Sequence, residues 1–226
     1  MSQIDRSQRD NRRKHVYESD IMMIKRRCRA ILNTMSRKSL CTMSNTTKEL
    51  LVVYHSRTGL AKSMTESLID GANQVSKEMG EKLEIRRKKA RDCSIDDIMS
   101  ADGYIFCAPE NLATLSGEML EFFHRNYYHV FRTNLESEGG EYHEESQILG
   151  RPYGVAIAAG SDGMGAVRHV TRICTGWRLK SVGEPLVVNN GLPQTKANIL
   201  SPKILSKESK MQCHEVGGLV AATLLL

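Results

Sequence analysis

From residue 48 onward the chain predicts an α/β fold, a three-layer sandwich built on a five-stranded parallel sheet with helices on both faces, and three observations lead there. Short apolar runs of strand length alternate with stretches of helical periodicity. Two of those runs, residues 104–108 and 153–159, are apolar throughout, as central parallel strands covered on both faces must be. A helical stretch separates each strand from the next, which is what right-handed parallel crossovers require.

The first strand, residues 50–54, is a continuous apolar run that passes through a glycine-containing turn into a helix over 61–73, with Met64, Leu68 and Ala72 on one face. The second, residues 83–87, alternates Leu83 and Ile85 with charged side chains, the pattern of a strand near a sheet edge. Residues 94–99 read as a short helix leading to the third strand at 104–108. A helix at 116–128 follows, then the fourth strand at 153–159 and a helix at 166–177. The fifth strand, residues 186–188, precedes a last helix at 207–224. One segment breaks this rhythm. Residues 132–149 carry Glu136, Glu138, Glu141, Glu144 and Glu145 around Gly139 and Gly140 without a hydrophobic period, which reads as a solvated acidic insertion. His143 among those carboxylates could be read as a metal ligand, but a flexible acidic loop is the simpler account.

Composition narrows the function. With 40% apolar residues the chain is globular rather than disordered. The formal charge of +6 suggests nucleic acid until it is divided: residues 1–49 hold twelve Lys/Arg against five Asp/Glu, net +7, so the remainder is net −1. The body therefore offers little electrostatic reason for nucleic-acid binding. Cys28, Cys41, Cys93, Cys107, Cys174 and Cys213 show no metal-ligand or paired spacing, and no secretory leader is visible, so reduced thiols in the cytoplasm are expected. Cys107 closes the apolar run of the third strand and reads as a buried structural thiol. No stretch has the length of about eighteen apolar residues that a membrane span needs, so a soluble protein without integral membrane contact is expected.

Residues 1–47 form a basic extension outside this pattern. The first twenty residues are polar without periodicity, and then Ile21, Ile24, Cys28, Ile31 and Met35 recur at helical spacing among Lys25, Arg26, Arg27 and Arg29. A basic amphipathic helix before a Ser/Thr-rich stretch has the character of a mitochondrial transit segment, whereas Asp5, Asp10, Glu18 and Asp20 ahead of it do not. A disordered tail and a start at a later methionine are the competing accounts.

Ligands of an open parallel sheet bind beyond the carboxyl ends of its strands, where the strand order reverses. The loop after the first strand, His55-Ser56-Arg57-Thr58-Gly59-Leu60-Ala61-Lys62, runs from a buried strand into a helix. Its hydroxyls, its glycine and the free N–H groups of a helix start form an anion cradle suited to a terminal phosphate. It lacks the spacing of a nucleoside-triphosphatase loop and of the dinucleotide fingerprint.

The string LLVVYHSRTGLAKSM resembles the phosphate loop of the flavodoxin superfamily, and ADGYIFCAPENLATLSGEMLEFF resembles the third strand, flavin-ring loop and following helix of its NAD(P)H-dependent oxidoreductase branch. GRPYGVAIAAGSDGMGA, TRICTGWRLK and GEPLVV are similar to the fourth strand, third loop, helix and fifth strand of that branch. The resemblance covers residues 48–226, apart from the acidic insertion, and implies a flavodoxin-like sheet of order 2-1-3-4-5 that binds flavin mononucleotide (FMN). Carried over by position, it implies that Ser56, Thr58 and Gly59 hold the phosphate, with Leu60 and Ala61 in the same turn and Arg57 or Lys62 close by. Many members keep a further hydroxyl where this chain has Ala61. Pro109, Glu110, Asn111, Leu112, Ala113 and Thr114 would run along the ring, the Asn111 amide meeting its polar edge. Gly160, Ser161, Asp162, Gly163, Met164 and Gly165 would approach its other side.

The resemblance further implies chemistry supplied by the flavin, with NAD(P)H as donor and a quinone or similar small molecule as acceptor. Neither ring loop carries an aromatic residue, so a ring face is expected to stay open for a substrate, and dimerisation often completes such sites in the relatives. An electron carrier of the same fold, or a non-enzymatic flavin-dependent interaction protein, is the alternative, although carriers commonly present a strongly acidic surface; a scaffold that has lost the cofactor is a third. Trp177 reads as a packing residue rather than a flavin contact, and His55 and His169 as surface or capping residues rather than proton relays.

Overall fold

Leu50, Leu51, Val52 and Val53 are fully buried because their strand is covered on both sides, and that strand organises the molecule. The structure, a computed structural model, describes residues 47–133 and 144–226; the readings of the basic extension and of His143 lie outside them. β1 (Lys48–Tyr54) sits between β2 (Leu83–Lys89) and β3 (Gly103–Asn111), both parallel to it. A two-residue strand, β4 (Thr114–Leu115), folds back antiparallel on the end of β3. β5 (Phe131–Thr133) and β6 (Glu144–Ser146) form a separate antiparallel pair, and β7 (Pro152–Ala159) then joins the other side of β3 in parallel. Two short strands, β8 (Lys180–Ser181) and β9 (Leu186–Asn189), pair with the first and second halves of β7. Together they make the fifth strand, so the order 2-1-3-4-5 is the one observed. The break between them holds Gly183, at φ 69°, and Pro185, which has no N–H for a ladder.

Alternation within the central strands divides the core in two. Leu50, Val52, Ile105, Cys107, Ala156 and Ala158 face α1 (Leu60–Met79) and a C-terminal helix, where they meet Met64, Leu68, Cys213 and Val220. Leu51, Val53, Phe106, Val155 and Ile157 face the other way. They pack under α2 (Ile95–Ser100), α3 (Gly117–Asn126) and α4 (Met164–Gly176). There Phe106, Phe122, Phe123 and Trp177 form an aromatic cluster with centroids 5.0–6.5 Å apart. Trp177 has no exposed surface and donates its indole N–H to the Tyr127 carbonyl at 3.1 Å, which makes it a packing residue. The remaining helices are α5 (Lys196–Ile199) and the C-terminal α6 (Lys207–Leu225).

Two elements differ from expectation. α1 runs six residues past the 61–73 reading and stops at Gly80, whose left-handed φ of 70° lets its N–H bond back to Lys77. The acidic segment is structured at both ends. β5 and β6 bracket it, Val130 and Ile148 beside them are fully buried, and the Ser146 hydroxyl donates to the Trp177 carbonyl at 2.7 Å.

α1 and α6 touch through backbone. A methyl group added to Gly71 would lie 1.8 Å from the His214 carbonyl oxygen, and one on Gly217 would lie 1.8 Å from that of Leu68. Hydrogen at these positions is what lets the two helices close over the sheet. No helix among the described residues is long and apolar enough to cross a membrane.

Candidate functional site

A cleft of about 510 Å³ opens at the carboxyl ends of β1, β3, β7 and β9. That volume is within the range of small-molecule and cofactor sites. Its first wall is the β1–α1 turn, which contributes Ser56, Arg57, Thr58, Leu60 and Ala61. Gly59 caps α1 in the left-handed region at φ 92°, with no side chain bonded to the helix start. The first N–H groups of α1 therefore lack partners within the helix, as at any helix start. Ser56 adds a hydroxyl oxygen that is buried and unbonded. Ala61 is tightly packed, its carbonyl accepting from the Thr65 hydroxyl at 2.8 Å and from the Cys107 thiol at 3.4 Å. Burial pushes the Cys107 thiol up to about 12, so Cys107 is an inert core group as its apolar run suggested.

The second wall is a tight hairpin. β3 turns into β4 through Leu112 and Ala113, both left-handed at φ 53° and 57°, so that Asn111 faces Thr114. Two successive left-handed residues define a type I′ turn, normally made with Asn or Gly. Here Leu and Ala carry that strain, and Leu112 is 98% exposed at the cleft. Pro109, Glu110, Asn111, Leu112 and Ala113 all line the cleft. One Glu110 carboxylate oxygen accepts from the Ser161 hydroxyl; the other is buried and unbonded.

The third wall, after β7, brings Ala158, Ala159, Gly160 and Ser161 to the cleft. Asp162, Gly163 and Gly165 belong to its frame instead. The Asp162 carboxylate accepts from the Met164 N–H at 3.0 Å, and Gly163 caps α4 at φ 70°. A methyl group on Gly165 would lie 1.9 Å from the Ala113 carbonyl oxygen. At Gly165 the third loop meets the backbone of the second. Thr114 shares a 2.6 Å hydrogen bond with His169 Nδ1 on α4, which fastens the same two loops.

His55 joins the first loop to the second. Its Nδ1 shares a 2.8 Å hydrogen bond with the buried Ser116 hydroxyl, and its Nε2 lies 3.7 Å from Glu118. Burial lowers its pKa from the ordinary value near 6.5; Glu118 opposes this, while Arg91 and Arg57 add to it. Arg91 approaches the other Glu118 oxygen at 3.4 Å. The folded protein therefore resists a proton that the unfolded chain accepts. Stability is full above about pH 6.5 and declines below it until the depressed native pKa is passed. Thermal melts between pH 7.5 and 5 should show this decline, and the His55→Gln protein should show a shallower one.

A fourth wall, residues 190–203, was not expected from the sequence. Asn190, Leu192, Pro193, Gln194, Asn198, Ile199, Leu200 and Lys203 line the cleft from the segment between β9 and α6. The available signals were its position after a strand's carboxyl end and its Asn-Asn-Gly turn residues. Among the described residues, no group of three or more His, Cys, Asp or Glu is arranged to hold a metal ion.

No protein-family model matches the chain. A flavodoxin of Aquifex aeolicus is 33% identical over 75 residues, a match that spans 33% of this chain and 38% of that protein. A solved flavodoxin from the domain Archaea superposes with a TM-score of 0.55 at 12% identity, over 78% of this chain and 98% of that one. An oxidoreductase from Corynebacterium diphtheriae superposes with a TM-score of 0.54 at 15% identity, over 79% and 97%. With its sheet order, its crossovers and these likenesses taken together, the chain has the flavodoxin-like fold.

Proposed function

We propose that this chain is an FMN-binding redox protein, and specifically an NAD(P)H-dependent oxidoreductase that passes electrons to a quinone or similar small acceptor. The observation that carries the cofactor reading is the corner at Ser56, where a buried hydroxyl without a protein partner stands beside the free N–H groups that begin α1. Those groups, with the Thr58 hydroxyl and the Arg57 guanidinium, would hold the phosphate. The unbonded oxygen of Glu110 and the Asn111 amide would meet polar ring edges. Bound FMN would take hydride from NAD(P)H and hand electrons to the acceptor. The protein's part is to bind, orient and leave access, which a cleft lined by no aromatic side chain among the described residues supports. A second copy would complete the open side, where Leu112 stands 98% exposed.

Similarity to flavodoxins supports a second reading, an electron carrier that takes electrons from a separate reductase. One experiment separates the two. The full chain is purified, its visible spectrum is recorded, and NADPH is added without oxygen. Rapid bleaching is the enzyme's result; a yellow protein that NADPH leaves unchanged is the carrier's. A colourless protein that also ignores added FMN removes both.

A further inference from the structure

Seventeen residues separate Asn189, at the end of β9, from Lys207, at the start of α6, and the four-residue α5 is their one helix. Connections of this length in compact domains are uncommon and are usually functional or linker segments. This one is fastened at both sides of the cleft. The Gln194 amide donates to the Gly160 carbonyl at 2.9 Å and that of Asn190 to the Ala159 carbonyl at 3.2 Å, tying it to the third loop. The Lys203 backbone N–H donates to the Thr58 carbonyl at 3.0 Å, tying it to the first. Leu205, 4% exposed, anchors its far end in the core.

Between these fastenings the segment presents apolar side chains to the cleft. Leu192 is 44% exposed, Ile199 55% and Leu200 61%, and all three line the cleft. Exposed aliphatic groups gathered on a concave wall are what an apolar ligand surface would cover. The Lys203 ammonium donates to the Asn198 carbonyl and, at 2.9 and 3.0 Å, to the Ser201 carbonyl and hydroxyl. These partners are uncharged, so its charge is not neutralised, but they take all three of its N–H donors, one of which must be exchanged for an anion in the cleft.

We propose that residues 190–203 are a fourth ligand-binding wall, on which Leu192, Ile199 and Leu200 take the apolar body of the phosphorylated ligand while Lys203 opposes its phosphate. This rests on the FMN reading above and adds to it the residues that hold the two ends of the molecule. Apolar wall and cation act on different parts of the ligand, so their contributions separate when FMN is compared with riboflavin, which has the ring and no phosphate.

The test is titration of the full chain with FMN and with riboflavin, followed by flavin fluorescence, in the wild type, the Leu192→Ser/Leu200→Ser double variant and Lys203→Gln. The double variant should bind both flavins about tenfold more weakly. Lys203→Gln should weaken FMN by about threefold to tenfold and leave riboflavin unchanged. In the wild type, saturating FMN should slow tryptic cleavage after Lys196. Circular dichroism verifies that the variants are folded. Wild-type affinity for both flavins in the double variant, or cleavage at Lys196 that FMN does not slow, overturns the wall and leaves the FMN reading standing. An equal effect of Lys203→Gln on both flavins overturns the phosphate assignment. A wild type that binds neither flavin overturns both proposals.

Discussion

Glutamate in place of Thr58 should empty the cleft of FMN. Position 58 lines the cleft in the turn that begins α1, so the new carboxylate would face a phosphate across a few ångströms. Repulsion between such charges, with loss of the threonine hydroxyl, should weaken binding about a hundredfold or more. The fold should survive, because the contact that matters structurally at this residue is its carbonyl, which accepts from the Lys203 N–H at 3.0 Å and is untouched by the substitution. Flavin content after purification and the far-ultraviolet dichroism of the same sample read the two halves of the expectation. Unchanged flavin content would move the phosphate to another part of the molecule.

Gly217→Ala should be strongly destabilising. The added carbon would lie 1.8 Å from the Leu68 carbonyl oxygen, a backbone atom that no rotamer change can move aside. α6 must then shift away from α1, opening the face where Met64, Leu68, Cys213 and Val220 pack. A loss of about 3 kcal/mol or more is expected, at the upper end of overpacking effects. Gly117→Ala is the control, since a methyl there meets nothing within 4 Å and should be neutral or slightly stabilising. Chemical denaturation of both proteins measures the difference; equal midpoints would mean that the helices are not in backbone contact.

Much of the architecture could be read without coordinates. Uninterrupted burial of residues 50–54, 104–108 and 153–159 follows from apolar runs that leave no polar face for solvent. Leu83 and Ile85 alternating with charges marked β2 as an edge strand, and β2 does pair on one side alone among the described strands. Less was legible around the cleft. Leu112 and Ala113 contradict the residue preferences of the turn they form, so no local rule could have announced the hairpin. Gly165 reads the same whether it clears space for a ligand or for the Ala113 carbonyl. The segment 190–206 has little periodicity of its own, and its ties are to residues more than thirty positions away.

Strands, helices and their parallel arrangement are written in apolar spacing, because whether a short segment has one, two or no apolar faces is settled by neighbours along the chain. The three loops after β1, β3 and β7 were legible for the same reason, since the carboxyl end of a parallel strand is a place that local pattern already locates. Which loop reaches which other loop is a different kind of fact. The fourth wall, the His55–Ser116 link and the glycine contact of α1 with α6 exist because crossovers return distant segments to within hydrogen-bond or van der Waals distance. Such distances are set by the packing of whole layers, and no stretch of sequence contains them alone.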